Sequence, residues 1–94
     1  MNTISKNLII NFIIRIDEDF KNTPLRNVYF GFNPFKGPGL KAYRSMTVGE
    51  FLTTVAYYNR IPRPLNRIIE SLISFASLPK DRRPILKSIA AWIS

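Results

Sequence analysis

Apolar residues recur every three to four positions through the second half of the chain, and this period predicts most of the architecture. Val48, Phe51, Leu52, Val55 and Tyr58 fall along one helical stripe, with Tyr57 at its edge. Thr47-Val48-Gly49-Glu50 in front of them has the capping-box pattern, in which the threonine hydroxyl accepts from the amide of Glu50 and the glutamate accepts from the amide of Thr47. A helix therefore starts there. Pro62 has no amide donor and biases Ile61 away from helical angles, whereas Pro64 suits the first turn of a following helix. Leu65, Ile68, Ile69, Leu72, Ile73 and Ala76 make a second stripe, opposite polar Asn66, Arg67, Glu70, Ser71 and Ser74. Pro79 ends that run and Asp81 suits an N-cap. Ile85, Leu86, Ile89, Ala90, Trp92 and Ile93 supply a third apolar face.

The first half is less uniform. Leu8, Ile10, Phe12, Ile14 and Ile16 alternate with their neighbours as a strand requires, yet Asn7, Asn11, Arg15 and Glu18 also line one polar stripe of a helix. Charge at the two ends decides for the strand. Lys6 at a helix start and Asp17, Glu18 and Asp19 near its end would oppose the helix dipole at both termini. Lys21-Asn22-Thr23-Pro24 is turn chemistry, and Val28, Phe30 and Phe32 alternate with Tyr29 and Gly31 as a second strand. Pro34, Gly37, Pro38 and Gly39 then break regular structure, so residues 33–44 form a loop that Phe35, Leu40 and Tyr43 pin down. The expected fold class is α+β: an N-terminal β-hairpin and basic loop over residues 1–45, packed on a three-helix block over residues 46–94. The alternative is a mainly α chain with a long N-terminal helix.

Composition narrows the function. Ninety-four residues with 46% hydrophobic content suit a single small domain with one core. The chain has neither cysteine nor histidine, so thiolate and imidazole catalysis are absent, and three of the six carboxylates are bunched at Asp17 to Asp19. That trio reads as a solvated turn. No enzyme activity, no metal and no cofactor is expected. Asn11 and Arg15 interrupt the apolar stretch near the N-terminus, and no uncharged apolar run reaches the roughly 18 residues a membrane span needs. A transmembrane segment is not expected, and a cytoplasmic location is the default.

The net charge of +8 changes the picture most. An excess of that size on a small chain predicts an anionic partner: nucleic acid or another phosphorylated ligand. Lys36, Lys41 and Arg44 on the loop, with Lys80, Arg82 and Arg83 before the third helix, form the expected anion-binding surface. Arg60, Arg63 and Arg67 form a secondary cluster at the start of the second helix, where cations oppose the dipole unless something negative is bound. In an up-and-down arrangement a helix of about 14 residues, or about 20 Å, separates these clusters. Local pairing of Arg67 with Glu70, and of Arg82 and Arg83 with Asp81, is the competing use of those cations. Tyr29, Phe32 and Phe35 are the candidates for stacking or docking.

The expected function is thus non-enzymatic binding of nucleic acid or a phosphate-bearing ligand through a basic surface. The alternative is a small interaction subunit or inhibitor, of the kind mobile elements encode, docking on an acidic partner protein. Trp92 and Ile93, at the end of the last apolar face, suit a subunit interface as well as a core.

Overall fold

The structure, a computed structural model, describes residues 4–83, and it is built from helices joined by turns. Four α-helices follow one another: α1 (Lys6–Arg15), α2 (Glu18–Lys21), α3 (Val48–Ala56) and α4 (Arg63–Ala76). Short 3-10 turns occupy Leu25–Asn27, Lys41–Ser45 and Lys80–Arg82. No strand, and hence no hairpin, occurs among the described residues. The expected α+β class is overturned.

The reason lies in which helix the acidic run belongs to. Ser5 caps α1, its hydroxyl accepting from the Leu8 amide at 3.2 Å, and Arg15 sits in the last turn, where a cation complements the dipole. Asp17 does not end α1 at all. It is the N-cap of α2, accepting from the Phe20 amide at 2.9 Å, with Glu18 and Asp19 in that helix's first turn. The acidic charges that argued against a helix are favourably placed once the chain breaks at Ile16, while Lys6 stays in the first turn of α1 against its dipole. Burial confirms the period: Ile9, Phe12 and Ile16 are inside, while Leu8, Ile10 and Ile14, which a strand would have placed on the face of Phe12, are exposed.

The second expected strand fails differently. Val28 and Phe30 are buried and Tyr29 is exposed, as an alternating pattern requires. Leu25–Asn27 has already turned as a 3-10 helix, however, and Gly31 adopts φ +79°, which ends the extended run. Residues 33–40 are irregular, as expected for the loop, with Phe35 buried and Leu40 and Tyr43 packed against the core.

Helices α3 and α4 form where the sequence places them. Both halves of the capping box are made, Thr47 Oγ1 accepting from the Glu50 amide at 3.1 Å and Glu50 Oε1 from the Thr47 amide at 2.9 Å. Pro62 is the N-cap of α4 and Pro64 lies in its first turn. The third apolar face, from Ile85 to Ile93, lies outside the described residues. Asp81, expected as its N-cap, sits inside the Lys80–Arg82 turn.

Helix α3 is the centre of the molecule and packs against α1, α2 and α4. Val48, Phe51, Leu52 and Val55 are fully buried on it, facing Ile9 from α1 and Leu65, Ile68, Ile69 and Leu72 from α4. Each such side chain contributes about 1.5–3 kcal/mol by leaving water. Two backbone bonds fix the start of α3 to the turn after α2, from the Leu25 amide to Met46 O at 2.8 Å and from the Val48 amide to Thr23 O at 2.9 Å. That approach is tight enough that a Cβ on Gly49 would lie 2.5 Å from Lys21 Cγ. None of the described helices is long and apolar enough to cross a membrane.

Candidate functional site

The basic surface begins from an aromatic cluster. Phe30 is buried with its ring centroid 5.9 Å from Phe32, 6.2 Å from Phe35 and 5.8 Å from Phe75 of α4. Phe35 is buried beside it, so this candidate for stacking is part of the core. Phe32, at the rim, is half-buried, and the Arg67 guanidinium lies 4.0 Å from its ring centroid. A cation over a ring at that distance contributes about 0.5–1 kcal/mol when exposed and more when water is displaced.

Arg67 follows Arg63 by one helical turn, so both project on the same side of α4. Facing them is the loop after Phe32, tightened where the Asn33 side chain accepts from the Phe35 amide at 3.1 Å. Lys36 stands just beyond that turn. Together Phe32, Lys36, Leu40, Arg63, Asn66 and Arg67 line an open groove of about 640 Å³, with Glu70 its sole carboxylate among the described residues. Three cations against one anion, beside an aromatic face, suit a negatively charged ligand with a flat ring. Asn66 Oδ1 is buried in the wall with no hydrogen-bond partner among the described residues. A buried acceptor left so costs about 1–3 kcal/mol, and a donor from water or ligand would remove that cost.

The six cations expected to form one surface are distributed over three places. Lys36 joins Arg63 and Arg67 of the secondary cluster. Lys41 and Arg44 are exposed on the Lys41–Ser45 turn. Lys80 and Arg83 face α2: Lys80 Nζ lies 3.2 Å from Asp19 Oδ2 and Arg83 Nη1 lies 2.5 Å from Asp17 Oδ2. Arg83 also donates to the carbonyls of Leu78 and Ala76, each at 3.2 Å, and lies 5.2 Å from the Phe20 ring centroid. It closes the end of α4 onto α2. The Phe20 amide first, and then Arg83, hold the Asp17 carboxyl below the usual carboxylate range. Arg82 is exposed beside them, and Arg60 is exposed in the turn before α4. Tyr29 is 44% exposed, away from the lining of the groove.

The acidic run is thus occupied. Asp17 caps α2 and holds Arg83, Glu18 pairs with Lys21 at 3.2 Å, and Asp19 holds Lys80. Among the described residues no group of three or more histidine, cysteine or carboxylate side chains could hold a metal ion. The sequence reading missed Asn66, for which the only signal is a polar residue two places after the proline that opens a helix. It weighed Glu70 as the competing partner of Arg67 but not Phe32, over which the guanidinium lies. No protein-family model, curated protein or solved structure matches the chain.

Proposed function

We propose that this protein is a non-enzymatic binding module for nucleic acid or a related phosphate-bearing ligand, held in the groove of Phe32, Lys36, Arg63 and Arg67. The observation that carries this reading is the meeting of an aromatic face with three cations at the start of α4. Phosphate is recognised by the cations, and a base or other ring by Phe32. Anisotropy titration of a fluorescein-labelled oligothymidylate of about 8 nucleotides tests it. With three phosphates neutralised, log K falls with log salt at a slope of about −2. Arg67→Ala should weaken binding about tenfold, the lower end of the loss expected for a base-stacking contact. Absence of binding at low salt, or binding indifferent to both salt and Arg67→Ala, overturns the reading.

A second reading, docking on an acidic partner protein, draws its apolar contact from α1, where Ile14 is 74% exposed with Leu8 and Ile10 also outside, and its charge preference from the net +8 of the chain. Its signature is one stoichiometric partner retained after nuclease treatment and lost on Ile14→Lys.

A further inference from the structure

A second groove, of about 700 Å³, lies on the other side of the start of α4. Its walls include Lys6, Tyr58, Arg60, Ile61, Arg63 and Asn66, and among the described residues no carboxylate lines it. Arg63 and Asn66 line both grooves, so the two meet along the first turn of α4. Ser5, the cap of α1, and Lys6, its first residue, form part of the far wall. Five cations, Lys36, Arg67, Arg63, Arg60 and Lys6, therefore follow one another across two adjoining grooves, with Glu70 the one carboxylate among the lining residues.

Each groove also carries its own pairing of cation and ring. In the first, Arg67 lies over Phe32 at 4.0 Å; Lys6, which lines the second, has its Nζ 5.8 Å from the ring centroid of Tyr57, which stands outside the groove lining next to Tyr58. Tyr57 is 76% exposed, which leaves most of its ring open to solvent at the end of α3. A ligand with one phosphate and one ring would fill one groove and leave the other unused. A chain of alternating phosphates and flat rings would use both, because successive bases find separate faces while successive phosphates find the cations between them. A duplex offers phosphates but keeps its base faces stacked, so neither ring could serve it.

Building on the reading of the first groove, we propose that the two grooves form one track for single-stranded nucleic acid, with Tyr57 and Lys6 as a second stacking station beyond Phe32 and Arg67. The strand crosses the first turn of α4 at Arg63.

The test compares wild type, a Lys6→Gln/Tyr57→Leu variant and Arg67→Ala by anisotropy. The probes are a labelled thymidine mononucleotide, an oligothymidylate of about 8 nucleotides and a duplex of the same length. Both substituted positions of the double variant are exposed, so its thermal midpoint should match wild type. The expected result is that the double variant binds the single strand about tenfold more weakly, with a salt slope reduced by about 0.7, while the mononucleotide, which one groove suffices to hold, is weakened less than the strand. Arg67→Ala should weaken both. If the double variant holds the strand as tightly as wild type while Arg67→Ala does not, the track is wrong and the single groove stands. Duplex binding at least as tight as single-strand binding also overturns the track. If wild type binds none of the probes, both readings fall.

Discussion

Tyr43 and Tyr58 show at the scale of single residues how two half-buried polar atoms find each other across the fold. Their hydroxyls share a short hydrogen bond, and the Tyr43 ring packs edge-on against Phe51 at 5.3 Å. Losing the proton would break that bond and leave a charge partly shielded from water, so Tyr43 is pushed up to about 12, first by the bond to Tyr58 and then by burial. Because the folded value lies above the unfolded value of about 10, the associated stability is complete below that pH and is lost as pH rises toward 12. Ultraviolet titration of the phenols should show one tyrosine ionising late in wild type, and Tyr58→Phe should move it back toward 10. A late phenol that persists in Tyr58→Phe would assign the shift to burial alone. The sequence marked both residues as apolar anchors, one on the loop and one on α3. It could not pair them, because hydroxyls 15 positions apart meet only after the loop has folded back.

At the scale of elements, the end of α4 and the start of α2 are held by Arg83. Its guanidinium satisfies Asp17, the Ala76 carbonyl that the finished helix leaves without an intrahelical partner, and the Leu78 carbonyl just beyond it. Arg83→Ala should lower stability by about 2 kcal/mol in urea unfolding, within the range for hydrogen bonds to a charged group in a partly buried place. Arg83→Lys should recover only part, since an ammonium cannot reach three acceptors in one plane. Asp17 makes the same junction acid-sensitive. Its folded pKa is depressed, so the contribution is present above the unfolded value of about 3.9 and disappears as pH falls below it. Asp17→Asn, which keeps an N-cap oxygen, should flatten the acid limb of a stability-against-pH curve; an unchanged limb would show that other carboxylates dominate. The same junction explains the error over α1. Read along the chain, Asp17 to Asp19 looked like the wrong charge at a helix end. Read in the fold, they begin the next helix, and Asp17 and Asp19 meet cations more than 60 positions away.

For the whole molecule, charge is the dominant property. Three of six carboxylates pair with basic side chains among the described residues and a fourth, Glu50, is used in the cap of α3, against a net charge of +8. Repulsion among the remaining cations should outweigh the exposed pairs, so raising salt from about 10 to 150 mM, which shortens the screening length to about 8 Å, should raise the melting temperature at neutral pH. A fall instead would mean that the pairs on α2 carry more of the stability than the excess charge removes. The sequence by itself determined α3, α4 and the apolar faces they bury, because a capping box, a proline and a 3.6-residue period act within a few residues of where they stand. It also determined that the surface would be basic. Tertiary structure decided the rest. Residues 8–16 satisfied two periods equally until α3 offered a surface matching Ile9 and Phe12, and the cations were indistinguishable until the fold put Asp17 and Asp19 beside Arg83 and Lys80. The same folding brought Lys36, Arg63 and Arg67 together beside Phe32, since charge partners and ring faces are chosen through space and have no signature along the chain.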